Sequence, residues 1–258
     1  MSIKYVCAAR HLLFGATLAL VVAVPSVQAT VIVSADTNII NPLIPGPNFN
    51  AGNQVFFSNV LGSGDTVAIR QEGGASNFDT IADQFFDSLP GIASSIIANL
   101  AGGALAGVDL LLVPRPDSAL SAGELAALGT FVAGGGSVFF MGENSSTASA
   151  VASNAAINAA LLALGSGIQI LDGVFPPDDF QSALIAADPL TAGVMSFSYA
   201  AGSHVSGGTL LFSDVNGNRL IAYETSVPEP SSLFLLGGWL VIAGAIRRRQ
   251  LRRSRDET

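Results

Sequence analysis

The stretch VDLLLVPRPDSALSAGELAALGTFVAGGGSVFFM, residues 108 to 141, constrains the fold more than any other part of this chain. Its first six residues, Val108 to Val113, form an almost unbroken apolar run that stops at Pro114, as a buried strand does. Ser121-Ala122-Gly123-Glu124 then sets a helix start. A serine hydroxyl at the cap and a glutamate three residues on satisfy each other's backbone amides. Leu125, Leu128, Phe131 and Val132 form one apolar stripe behind that cap, and Gly134 to Gly136 end the helix. SVFFM follows as a second apolar strand, so strand, helix and strand occupy about 33 residues, the span of one βαβ unit. Strands apolar on both sides need cover on both sides, which predicts a mostly parallel sheet between two layers of helices.

The neighbouring segments repeat the pattern. TVAIR, Thr66 to Arg70, reads as a strand, and a helix after Gly73-Gly74 is capped by Ser76, with Phe78, Ile81, Phe85 and Leu89 on one face and Pro90-Gly91 as its stop. SSIIA reads as a further buried strand. Ile157, Leu161 and Leu164 mark a helix ending at Gly165 and leading to GIQIL. TLLFSDVNGNRLIAYE is two strands around Asn216-Gly217, the favoured hairpin turn, which adds antiparallel strands at the C-terminal side. Residues 30 to 64, with NPLIPGPNFNAGN, read as an irregular lead-in, and the α/β domain is predicted over 65 to 226.

Composition narrows the function classes. Hydrophobic residues make up 50% of the chain and charged residues only 12%, which excludes a mainly disordered protein. Between Thr30 and Val227 there are sixteen Asp and Glu against three basic residues, Arg70, Arg115 and Arg219. Nucleic acid is excluded as a partner, because neutralising phosphates takes clustered Lys and Arg. The single cysteine is Cys7, inside a segment predicted to be removed, so the mature chain offers no thiol nucleophile, no disulfide and no cysteine zinc site.

The two ends read as addresses. Lys4 and Arg10 precede the apolar run Leu12 to Val24, and Val27-Gln28-Ala29 is a small-x-small cleavage site, giving a signal peptide over 1–29 as a short helix. At the other end, Val227-Pro228-Glu229-Pro230 is followed by a transmembrane helix at about 231–246 and a basic tail over 247–258. Sixteen helical residues reach about 24 Å, short of a hydrocarbon core of roughly 30 Å. Arg247, Arg248 and Arg249 extend that reach by snorkelling and hold the tail on the cytoplasmic side, so the body lies outside. This order of parts resembles the PEP-CTERM sorting signal of Gram-negative bacteria. The resemblance implies that exosortase, a membrane protease, cuts near Pro228-Glu229-Pro230. The expected partners are then signal peptidase, exosortase and, before processing, the membrane. The expected location is the periplasmic face first, then the cell surface or extracellular matrix, with extracellular polysaccharide as a possible ligand.

VDLLLVPRPDSALSAGELAALGTFVAGGGSVFFMGEN, with DPLTAGV later, resembles a divergent class I glutamine amidotransferase-like domain. The resemblance implies a flavodoxin-like α/β fold. True amidotransferases carry a cysteine on the elbow after the strand matching SVFFM, where this chain has Gly142 or Glu143. The expectation is therefore a non-catalytic binding or structural domain. Ligands of open parallel sheets bind beyond the strands' carboxyl ends, which directs attention to 71–77, 115–118 and 142–147. Glu143, Asn144, Ser145 and His204 are the ligand-binding candidates. The alternative is a secreted serine hydrolase using Ser145 or Ser146 with His204 as base and Asp172 or Asp188 as orienting acid, although no Gly-x-Ser-x-Gly elbow is present. Asp214-Val215-Asn216-Gly217-Asn218 and the Asp172, Asp178, Asp179 loop bear oxygen ligands but lack EF-hand spacing. No metal or cofactor is assigned, and the Gly-Gly stretches lack a phosphate-binding frame.

Overall fold

The structure is a computed structural model that describes residues 29–40, 50–72, 77–174 and 181–226. The elements follow in chain order: β1 (Ala29–Ser34), α1 (Ala51–Leu61), β2 (Thr66–Arg70), α2 (Phe78–Asp87), β3 (Ala93–Ile97), β4 (Leu110–Pro114), α3 (Ala122–Ala133), β5 (Ser137–Met141) and α4 (Ala148–Ala163). The remaining strands are short, namely β6 (Gln169–Leu171), β7 (Gln181–Ser182), β8 (Leu184–Ile185), β9 (Ser198–Tyr199) and β10 (His204–Ser206), except for the closing pair β11 (Thr209–Ser213) and β12 (Arg219–Ser226).

An eight-stranded sheet in the order β3-β2-β4-β5-β1-β12-β11-β8 forms the body. The strands from β3 to β1 in that order are mutually parallel, while β12, β11 and β8 are antiparallel to their neighbours. Alternation along each strand splits the apolar residues between two cores. Ile32, Ile69, Leu112 and Phe139 face one core with α1 and α2, and Val33, Ala68, Leu111 and Phe140 face the other with α3 and α4. Helices therefore cover both faces, as the apolar strands require. Aromatic edges lock the first core: Phe56 meets Phe57, Phe139, Phe197 and Phe212 edge to face at centroid distances of 4.9 to 5.9 Å.

The βαβ unit forms as its sequence predicts. Ser121 Oγ accepts from Glu124 N at 3.3 Å, while Glu124 Oε2 accepts from Ser121 N at 2.9 Å. Leu128, Phe131 and Val132 are buried, with Leu125 packed beside them. The hairpin also forms, but its turn falls one residue earlier than the Asn216-Gly217 reading: Gly217 N donates to Asp214 O at 3.1 Å, so Val215 and Asn216 are its central residues and Gly217 follows at φ 83. Asp214 N donates to Asn218 O across the turn.

Three readings of the sequence change. The expected lead-in over 30–64 holds β1, a central strand between β5 and β12, and helix α1. Its asparagines belong to the helix: Asn50 caps Gly52 N, and the buried Asn53 donates to Ile39 O and Ser198 O. SSIIA, expected to be buried, is the open edge strand β3, and its Ser94, Ser95 and Ile96 are half or fully exposed. GIQIL contributes β6, which leaves the main sheet to pair antiparallel with β10, because only Ile170 of its residues turns inward. Ser76, the residues before 29 and those after 226 lie outside the described residues, including Val27, the sorting motif Val227 to Pro230, the helix at 231–246 and Arg247 to Arg249. Among the described residues, no helix is long and apolar enough to cross a membrane.

Candidate functional site

All the parallel strands deliver their last residues to one edge: Ser34, Arg70, Ile97, Pro114 and Met141. Two crevices open along it. One lies between β5 and β1, whose following helices α4 and α1 sit on opposite faces; the other lies between β2 and β4, with α2 and α3 on opposite faces. Such divergence of connections leaves room for a ligand beyond the strand ends.

The crevice over β5 and β1 is filled by protein. Asp36 is fully buried, and Asn38 N and Nδ2 donate to its Oδ1 at 2.7 and 2.9 Å while Ala200 N donates to Oδ2 at 2.7 Å. Burial pushes its carboxyl up to about 7, against those hydrogen bonds and with a further push from Glu143. Thr37 donates through its hydroxyl to Gly142 O. Asn154 of α4 clasps the first residues after β5 in both directions, accepting from Glu143 N at 3.0 Å and donating to Glu143 O at 2.7 Å. Glu143 Oε1 accepts from Asn144 N and Nδ2 at 2.9 Å, and its Oε2 stands 4.0 Å from the Arg115 guanidinium. Burial raises the Glu143 carboxyl above its usual range, with Asn144 and Arg115 opposing.

Of the residues singled out in the sequence, Glu143, Asn144 and Ser145 come together here. Asn144 Nδ2 reaches Ala201 O at 3.2 Å, and Ser145 Oγ lies 3.2 Å from Ser203 Oγ, which donates onward to Glu143 O or Gly173 O. Ser146 donates to Asn144 Oδ1. The His204 imidazole is thus not among the hydrogen-bond partners of either serine hydroxyl. His204 itself sits on β10 opposite Leu171, and burial lowers its pKa against the pull of Asp214. Gly142, the other position matched to the amidotransferase nucleophile, has no room for a side chain: a Cβ there would meet Asn154 Oδ1 at 2.5 Å and Ile170 at 2.6 Å.

The crevice over β2 and β4 is built differently. An open surface depression of about 360 Å³ lies there, lined by Arg70, Gln71, Glu72, Ala98 and Asp117. Glu72 is 7% exposed; its Oε2 accepts from Phe78 N at 3.2 Å, and its buried Oε1 has no hydrogen-bond partner among the described residues. Arg70, equally buried, stands 3.8 Å from Glu124 and 4.0 Å from Asp117, and its Nε–H donates to neither. Burial raises the Glu72 carboxyl, with Asp79 and Glu143 adding to the rise while the Phe78 amide and Arg115 oppose it.

Sequence reasoning pointed to the loops of both crevices but named neither Asp36, which fell in the expected lead-in, nor Arg70 and Glu72. The available signal for the latter pair was their position, at and just past the end of a β-branched strand. Asp214 spends its carboxylate on its own turn, accepting from Asn216 N and Asn218 N at 2.9 and 2.7 Å. Asp178 and Asp179 lie outside the described residues. Among the described residues, no group of three or more His, Cys, Asp or Glu is placed to hold a metal ion.

Fold and site together define a mixed α/β protein with a large, mostly parallel sheet flanked by helices and a polar carboxyl edge. No family model matches the chain, and neither does any curated protein. Among solved structures, the mmIFT52 N-terminal domain is similar over 60% of this chain and 76% of its own, at 16% identity and a TM-score of 0.45, a likeness that assigns no function.

Proposed function

We propose that the chain is the precursor of an exported, non-catalytic module of the Gram-negative cell surface or extracellular matrix. In this reading a signal peptide is removed after Ala29, a C-terminal helix holds the body at the outer face of the inner membrane, and exosortase cuts near Pro228-Glu229-Pro230. The body is an amidotransferase-like domain that serves a binding or structural role.

One observation carries the reading. Among the described residues the β1–β12 ladder runs from Ala29 opposite Ser226, with Thr30 opposite Thr225, to Ser34 opposite Ile221. Both flanking segments therefore join the body at one point. Cleavage after Ala29 would remove one buried residue of the second core together with its pairing to Ser226, and every other described core residue would stay. The filled crevice over β5 and β1 favours the non-catalytic role, since the hydroxyls of Ser145 and Ser146 are spent on Ser203 and Asn144.

Mass spectrometry of the protein recovered from outside the cell tests the export reading. The product is expected to start at Thr30 and to contain nothing from Leu233 onward. An exported chain still bearing RRRQLRRSR would overturn exosortase processing.

A further inference from the structure

The eight-stranded sheet ends in two unlike edges. β8 contributes Leu184 and Ile185 alone, whereas β3 contributes Ala93-Ser94-Ser95-Ile96-Ile97 and, among the described residues, pairs only with β2. Natural sheets blunt such an edge with a charge or a proline, and β3 carries neither. Its ladder fixes which backbone groups face out. Ala93 N donates to Asp65 O and Ile97 O accepts from Gln71 N, both at 2.8 Å, so Ala93, Ser95 and Ile97 turn their backbone groups to β2. The C=O and N–H of one trans peptide point opposite ways, so the carbonyls of Ser94 and Ile96 and the amides of Ser94, Ile96 and Ala98 face away from β2. Asp87 Oδ1 already accepts from Ser94 N at 3.1 Å.

The remaining set is its own complement. In an antiparallel pair with a two-fold axis at Ile96, each Ile96 amide meets the Ile96 carbonyl of the other copy, and each Ala98 amide meets the other Ser94 carbonyl. The capped Ser94 amide is not needed for any of these bonds. Ile96, 39% exposed on the open edge, packs against its own copy at the axis. Charge does not oppose the pairing at close range. Asp83 and Asp87 are held at 2.7 and 2.8 Å by the Ser94 hydroxyl. Because Ser94 of one copy faces Ala98 of the other, the two Ser94 residues stand about 14 Å apart, beyond the screening length at physiological salt. A head-to-tail contact of β3 on the much shorter β8 would match fewer groups, which favours a closed pair over an open fibre.

We propose that β3 is a self-association edge: two copies of this chain pair antiparallel through β3, centred on Ile96, and join their sheets into one. The partner at this surface is a second copy, and the pairing stands apart from the export reading.

The test uses the full-length chain in lauryldimethylamine oxide micelles, with Cys7→Ser so that an introduced thiol stands alone. Light scattering at about 100 µM chain, corrected for bound detergent, is expected to give a dimer. Under a mild copper oxidant, Ile96→Cys is expected to form a disulfide-linked dimer, since directly paired residues of this kind lie about 5.5 Å apart, within disulfide reach. Ala98→Cys, whose two copies stand about 14 Å apart, is expected to stay uncrosslinked. Ile96→Pro removes an outward amide and spares the ladder to β2, so it is expected to remain folded by circular dichroism and to weaken dimerisation about tenfold or more. Ile96→Lys is expected to do the same and replaces the proline variant should that one fail to fold. A monomeric parent would overturn the proposal, as would a dimer indifferent to the Ile96 variants, absence of cross-linking at Ile96, or equal cross-linking at Ile96 and Ala98. None of these outcomes depends on whether the chain is processed, so failure here and failure of the export reading are separable.

Discussion

The two crevices at the carboxyl edge look alike in composition and differ in bookkeeping. Each holds buried carboxylates and an arginine. Over β5 and β1, Asp36 receives hydrogen bonds on both oxygens, Asn154 clasps both backbone groups of Glu143, and Ser203 stitches three segments together. Over β2 and β4, a carboxylate oxygen of Glu72 and the Nε–H of Arg70 are buried and have no hydrogen-bond partner among the described residues. A polar cluster that satisfies itself is a fastener, whereas buried groups without hydrogen-bond partners weaken the packing around them.

The largest expected effect concerns pH and the filled crevice. Asp36 has a folded pKa of about 7 against 3.8 when exposed, so between those values the folded state keeps a proton that the unfolded state loses. Its contribution is therefore full below about pH 4, falls as pH rises and is gone above about 7, a change of roughly 4 kcal/mol. Glu143 and Glu72 act in the same direction. Urea denaturation across this range is expected to show a downward slope that Asp36→Asn flattens; an identical slope in the variant would break the assignment. Next, Asn154→Ala orphans the amide and carbonyl of Glu143 and is expected to cost about 3 kcal/mol in the same assay. Ser121→Ala, which removes the cap that holds Glu124 beside Arg70, is expected to cost about 1 kcal/mol. The smallest effect belongs to the open crevice: Glu72→Gln keeps the bond from Phe78 N, relieves a buried charge and is expected to leave stability within about 0.5 kcal/mol of the parent. A loss there as large as that of Asn154→Ala would erase the distinction between the crevices.

The parts of the fold that were legible in the sequence are those where local chemistry and tertiary packing agree. The cap at Ser121, the stripe Leu128, Phe131 and Val132, and the hairpin between β11 and β12 each follow from spacing alone, although the turn itself is centred on Val215 and Asn216 rather than on Asn216-Gly217. Residues 50 to 61 misled because Asn50 and Asn53 are turn-forming residues by type; only the fold shows that one caps α1 and the other clips the loop at Ser198. The exposure of β3 and the departure of β6 are decided by strand order, which no short window contains. At the site, GENSST drew attention through its dense polar side chains, and those side chains turned out to bind each other. Arg70 and Glu72 were quieter in sequence, and their significance lies in what their neighbours fail to supply, a property of packing.

A carboxyl-carbon NMR titration tests the account of the filled crevice most directly. The Asp36 carboxyl is expected to titrate at about 7, as its burial requires, and the titration is expected to vanish in Asp36→Asn. An Asp36 carboxyl that titrates near the ordinary 3.8 would place it in water and contradict the account.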